Sequence, residues 1–107
     1  DGLDTPFAVC DKRTVSEKEL IPTDLFNYLP DQTQSLTVEI CQSSNSDSHE
    51  WYFYPKMQRD EVLMFTTYDS DENPFIPTLH SAFDYPNCPE GVTPRESIEV
   101  RAVCFFN

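Results

Sequence analysis

A mainly β fold with a short helical segment near the start is what this sequence predicts, and three observations predict it. Apolar and polar residues alternate along Leu36-Thr37-Val38-Glu39-Ile40-Cys41 and again from Ile98 to Phe106, the period-two signature of strands. A dense aromatic run, Trp51-Tyr52-Phe53-Tyr54, ends at Pro55. Helical signals are confined to residues 14–29, where Pro22 interrupts them and Pro30 stops them.

The elements follow in order. Pro6-Phe7-Ala8-Val9-Cys10 reads as a strand closed by the charged Asp11-Lys12-Arg13. Thr14 or Ser16 caps a short helix, and Glu19 stands three residues after Ser16, the capping-box spacing. Thr23 to Leu29 makes a second helical turn or two. In the Leu36–Cys41 strand, Leu36, Val38 and Ile40 share one face. The polar stretch Gln42 to Ser48 is a loop, and Trp51 to Tyr54 is the next strand. Val62 to Tyr68 is mostly apolar, as a strand covered on both faces would be. An acidic turn, Asp69 to Pro74, leads to a further strand in Phe75 to Phe83, which contains His80. Asp84 to Pro94 is a loop carrying Gly91. In the last strand Ile98, Val100, Ala102, Cys104 and Phe106 fall on one side, with Arg95, Ser97, Glu99, Arg101 and Val103 on the other.

The 107 residues suit a single domain spanning 1–107. With 19 Asp and Glu against 7 Lys and Arg, the formal net charge is −12, which argues against nucleic acid or an anionic membrane as partner. No apolar run approaches the roughly 20 residues of a membrane-spanning helix. Eight Phe, five Tyr and one Trp supply enough apolar bulk for a small core, so disorder is not expected. Cys10, Cys41, Cys88 and Cys104 include no C-x-x-C pair, which excludes a zinc ribbon. Cys41 and Cys104 lie in β-like runs where buried free thiols are common, so reduced cysteines and a cytoplasmic protein are expected. A secreted protein with two disulfides is the alternative. The chain opens Asp1-Gly2-Leu3, without Met or signal peptide, as expected of a processed product, an expression fragment or a piece of something longer.

Few residues offer chemistry. His49, between a polar loop and the aromatic strand, reads as an exposed or stacking histidine at a strand edge. His80 stands among small and apolar neighbours and, taken alone, reads as a satisfied core histidine. There is no G-x-S-x-G turn, and neither Cys41 nor Cys104 has a catalytic context. Acidic pairs such as Asp60/Glu61 and Asp69/Asp71 read as solvated surface. Arg95 and Ser97, two apart at a strand start, share a face, and a guanidinium fork beside a hydroxyl suits a carboxylate. His80, one strand earlier, is then placed across the same sheet to bind a metal. Read blandly, Arg95-Glu96-Ser97 is an exposed start of a strand.

The ordered blocks His49-Glu-Trp-Tyr-Phe-Tyr-Pro-Lys-Met, Asp60-Glu-Val-Leu-Met-Phe, Tyr68-Asp-Ser, Leu79-His-Ser-Ala-Phe-Asp and Pro94-Arg-Glu-Ser-Ile-Glu-Val-Arg carry a resemblance. From about Phe7 to Phe106 the chain resembles the fungal and bacterial hydroxylase/desaturase family, with its gibberellin desaturase-like and cephamycin methoxylation protein-like members, and looks like the C-terminal half of such proteins. The resemblance implies part of a double-stranded β-helix (jelly roll) and a non-haem Fe(II), 2-oxoglutarate-dependent oxygenase. Such an enzyme hydroxylates or desaturates a small secondary metabolite, coupled to oxidative decarboxylation of 2-oxoglutarate. Carried over by residue, His80 is the second histidine ligand of iron. Arg95 with Ser97 binds the distal carboxylate of 2-oxoglutarate, and Arg101, on the face of Arg95, is the fallback binder.

The sequence departs from the family at one point: it has no His-x-Asp pair, since His49 precedes Glu50-Trp51 and His80 precedes Ser81-Ala82. The expectation is therefore an oxygenase portion that needs an upstream segment or a partner for its first two ligands. The alternative is a non-catalytic acidic binding or interaction module derived from the same family. Half a β-helix exposes strand edges and apolar faces, so self-association is expected as well.

Overall fold

The computed structural model of the chain describes residues 4–25, 36–41 and 46–106. Five strands occur among them: β1 (Phe7–Cys10), β2 (Leu20–Leu25), β3 (Leu36–Cys41), β4 (Trp51–Phe53) and β5 (His80–Ala82). β1 is the organising element. Ala8 and Cys10 are 6% and 3% exposed, and Phe7 and Val9 are half-buried, so both faces of this strand are covered. β4 and β5 pair with β1 on either side, both antiparallel, in the order β4-β1-β5.

The register decides which side chains meet. Val9 stands opposite Tyr52 on one side and His80 on the other, and Ala8 stands opposite Phe53 and Ser81. Directly opposed residues project from the same face of a sheet. Phe7, Val9, Tyr52 and His80 therefore share one face, while Ala8, Cys10, Trp51, Phe53 and Ser81 share the other. On the second face Phe53 packs edge-on against Phe83 at 5.2 Å, and Tyr85 stands 5.9 Å from Phe53. Backbone bonds continue the β1–β5 pairing past its formal ends: Cys10 N donates to Leu79 O, Phe83 N to Pro6 O and Tyr85 N to Asp4 O.

The helical expectation near the start needs correcting. Residues 12–14 and 17–19 form single 3-10 turns, not an α-helix. Asp11 caps the first turn by accepting from Arg13 N, and Thr14 Oγ1 donates to Asp11 O while accepting from Glu50 N. The Ser16/Glu19 spacing does act as a cap, because Ser16 N donates to Glu19 Oε2 at 3.0 Å. The chain then turns extended at Leu20. Residues 23–25, expected as helix, belong to β2, which pairs along its length with β3. Ile21 and Thr23 are β-branched and favour extended backbone, and a tertiary partner overrides a capping signal only one turn long. Pro22 is tolerated because a two-stranded ribbon has only edge strands. Residues 26–29 of the expected second helix and 42–45 of the expected loop lie outside the described residues.

The strands expected at residues 36–41 and 51–54 are present, the latter as Trp51–Phe53, and the one within 75–83 shortens to His80–Ala82. Residues 62–68 and 97–106 are not strands. The first of these keeps its alternation without a ladder: Val62 and Met64 are exposed, Leu63 and Phe65 half-buried, and one bond, Thr78 N to Thr66 O, ties the segment to the rest. Ile98, Val100, Ala102, Cys104 and Phe106 are all exposed. A period-two pattern shows which side is meant to be buried, but a strand also needs a neighbouring edge, and this segment pairs with none among the described residues. The fold is mainly β, as expected. The described strands make a three-stranded sheet and a two-stranded ribbon, a smaller arrangement than a double-stranded β-helix.

Candidate functional site

The face of the sheet that carries Phe7 brings His80 and Arg95 to one aromatic ring. His80 opens β5 directly across from Val9, and its ring lies 5.5 Å from Phe7 and 4.8 Å from Phe65. The Arg95 guanidinium carbon stands 5.9 Å from the centre of the same Phe7 ring, within reach of a cation–π attraction. Two further bonds hold Arg95: its backbone N donates to Asp4 Oδ1 and its Nε to Thr5 O at 2.9 Å. The loop end at residue 95 is thus tied to the segment leading into β1. Nη1 and Nη2 have no partner among the described residues, so the fork remains open to an anion.

His80 is prepared in a specific way. Its Nδ1 lies 2.9 Å from Thr78 O, and a carbonyl oxygen only accepts, so Nδ1 is the protonated nitrogen. In the neutral ring this leaves the lone pair on Nε2. Histidines that ligate metals are commonly oriented by such a bond. The residue is exposed even though two rings flank it, so Nε2 is accessible.

The other two candidates are placed differently. Ser97 is exposed and makes no hydrogen bond among the described residues. Arg101 is exposed, and its Nε pairs with Glu99 Oε1 at 3.2 Å. The strand face that Ser97 and Arg101 were expected to share with Arg95 is not formed. Among the described residues no group of three His, Cys, Asp or Glu side chains is placed to hold a metal ion. His80 therefore offers one ring nitrogen, and the described residues do not provide a complete set of metal ligands around it.

One ionisable pair escaped the sequence reading. His49, expected at an exposed strand edge, is buried, and its Nε2 lies 2.7 Å from Glu19 Oε2. The bond from His49, and then the one from Ser16 N, hold the Glu19 carboxyl below the usual range. The capping-box spacing located Glu19 but gave no hint of a partner 30 residues away. Cys10, Cys88 and Cys104 are free thiols, and burial pushes that of Cys10 upward.

A cavity of about 580 Å³ at the β1–β4 pair is lined by side chains of both faces, among them Val9, Tyr52 and Leu63 together with Cys10 and Phe53. A second cavity, of about 480 Å³, is lined by Trp51, Tyr52, Phe53, Ala82 and Phe83, so Tyr52 and Phe53 border both.

Comparison with known proteins gives this geometry a context. Residues 3–105 match the family described as the oxidoreductase/YMDC permease-like domain. An Fe(II)/2-oxoglutarate-dependent dioxygenase of Aspergillus novofumigatus is 36% identical over 103 residues, covering 96% of this chain and 36% of its own length. The aspirochlorine biosynthesis protein N of Aspergillus oryzae is 33% identical over 104 residues, covering 96% of this chain and 42% of its own. A hydroxylase/desaturase of Hormonema carpetanum is 33% identical over 107 residues, covering 94% and 36%. The chain thus spans well under half the length of these curated relatives. No solved structure matches. By the span of these matches the chain belongs to the oxidoreductase/YMDC permease-like family, alongside fungal Fe(II)/2-oxoglutarate-dependent dioxygenases and hydroxylase/desaturases.

Proposed function

We propose that this chain is the portion of an Fe(II)/2-oxoglutarate-dependent hydroxylase or desaturase that supplies one iron-binding histidine, His80, and the cation for the cosubstrate, Arg95. The observation that carries the reading is their convergence on Phe7, with His80 Nε2 left as a lone pair and the Arg95 fork left open. Iron held there would bind 2-oxoglutarate and O₂ and supply the oxidising chemistry. Within this chain the Thr78 carbonyl holds His80 in its ligating tautomer. The carbonyl of Thr5 and the carboxylate of Asp4 fix Arg95 so that Nη1 and Nη2 meet a carboxylate two-pronged. The Phe7 and Phe65 rings flank the His80 ring at 5.5 and 4.8 Å and restrict its orientation. The remaining iron ligands would come from polypeptide outside the described residues, and the substrate is a small molecule of secondary metabolism.

Titration of the chain with Mn(II) and 2-oxoglutarate under anaerobic conditions tests this. His80→Ala should abolish metal uptake. Arg95→Ala should weaken 2-oxoglutarate by about 10- to 100-fold, the loss expected for a hydrogen-bonded charge. Unchanged affinity in Arg95→Ala would transfer the role to Arg101, and a chain that takes up neither ligand would remove the site from it. That last result would favour the second reading, a non-catalytic binding module.

A further inference from the structure

We propose that residues 97–103 are an interaction surface for a second copy of this chain, pairing antiparallel with the same residues of that copy about a two-fold axis at Val100. The inference is independent of the metal reading, since His80, Arg95 and Phe7 take no part in it. Residues 97–106 alternate over a longer run than any strand, yet they donate no backbone hydrogen bond to other described residues. Ile98, Val100, Val103 and Phe106 are between 79% and 95% exposed. The β-branched side chains of Ile98, Val100 and Val103 favour extended backbone. The segment thus has the composition of a strand and is unpaired among the described residues. The open edges of β4 and β5 run for only three residues each, too short to pair with all of it.

Charge selects both the partner and the register. In a two-fold antiparallel pair each residue faces the one equally far on the other side of the axis. With the axis at Val100, Glu99 faces Arg101 of the second copy and Arg101 faces its Glu99, while Ile98 faces Ala102 and Ser97 faces Val103. Directly opposed side chains stand about 4.5–5.5 Å apart at Cβ, close enough for both ion pairs. Glu99 and Arg101 already lie on one side of the chain, with Arg101 Nε 3.2 Å from Glu99 Oε1, and both remain exposed. Other axes fail. At Glu99 two glutamates meet, at Arg101 two arginines, and at Ile98 Arg101 meets Arg95. At Ala102 or Val103 no charge faces its opposite. An axis between residues would set the apolar face of one copy beside the charged face of the other. The chain carries a net −12, but within residues 97–106 one Glu is offset by one Arg, so two copies meet here without local repulsion. A two-stranded ribbon is a small interface, so the dimer is weak and forms at high protein concentration.

Sedimentation equilibrium of the chain and two charge reversals tests the register. Glu99→Lys and Arg101→Glu should each weaken dimerisation about tenfold, because both facing pairs turn from attraction to repulsion. An equimolar mixture of the two variants should recover the wild-type constant to within about threefold, since unlike charges face each other again in the mixed dimer. Net charge alone predicts the reverse for Glu99→Lys, which takes two units off −12 and would strengthen association. Unchanged or stronger association of Glu99→Lys, no recovery in the mixture, or a wild-type chain that stays monomeric would each overturn the proposal. Hydrogen exchange gives a second readout. Above the dimer constant the amides of residues 98–102 should slow by about fivefold relative to dilute chain, with Ala8 to Cys10 unchanged. Exchange at these residues that ignores concentration would overturn the proposal, and full protection in dilute solution would place their partner strand within the same chain.

Discussion

His49 and Glu19 form the contact whose loss should be felt most at the level of single residues. The His49 side chain is 1% exposed, and its bond to Glu19 joins the 3-10 turn before β2 to the segment leading into β4. Removing a buried hydrogen-bonding side chain costs about 1–3 kcal/mol. His49→Ala should therefore lower the midpoint of thermal unfolding at neutral pH by roughly 5–15 °C. The sign of the pH dependence follows from Glu19, whose carboxyl is held below its ordinary 4.5 by the bond from His49. A depressed carboxyl stabilises the fold above its unfolded value and loses that contribution as pH falls through the folded one. The gap between wild type and His49→Ala should thus be widest above pH 4.5 and narrow in more acid solution. Melting curves from pH 3 to 7 check this, and a gap that ignores pH would show that His49 acts by packing alone. The sequence revealed the local half of this arrangement, Ser16 with Glu19, because a cap is encoded within four residues. The distant half is a product of chain return and has no local signature.

Among elements, β1 and the segment 97–106 are opposites. β1 is paired on both sides and half-buried or buried at every residue. Residues 97–106 donate no backbone hydrogen bond to other described residues, although their alternation is the longest in the chain. In this chain the amides of residues 97–106 should exchange with solvent within seconds to minutes, while those of Ala8 to Cys10 should be the slowest. Hydrogen exchange followed by mass spectrometry measures the difference. Protection of residues 97–106 equal to that of β1 would mean that the segment has found a strand partner. Strands with period-two patterning or dense aromatic residues were legible: residues 36–41 and 51–53 stand where the pattern puts them. The α-helix was misread because a one-turn capping signal carries too little energy to compete with a whole strand pairing.

For the molecule as a whole, opposing terms set the behaviour in solution. Trp51, Tyr52, Tyr54, Met64, Ile98, Val100 and Phe106 are exposed, and β2, β3, β4 and β5 are all edge strands among those described. Such surfaces favour association, and a net charge of −12 opposes it. Salt screens the repulsion and leaves the apolar attraction, so the chain should self-associate at high concentration and do so more strongly at 0.5 M than at 0.05 M salt. Sedimentation velocity decides this, and a monomer at both salt levels would show that these surfaces do not attract. By itself the sequence determined the mainly β class, the family and the residue types at the candidate site, because each of these is written in neighbouring positions or in motifs. Only the tertiary structure decided that His80 and Arg95 meet at Phe7, that Ser97 and Arg101 do not join them, and that His49 is buried against Glu19. Those outcomes depend on strand register and on loops that carry residues tens of positions apart to one place. A local pattern can state which residues prefer to be buried, but not against what.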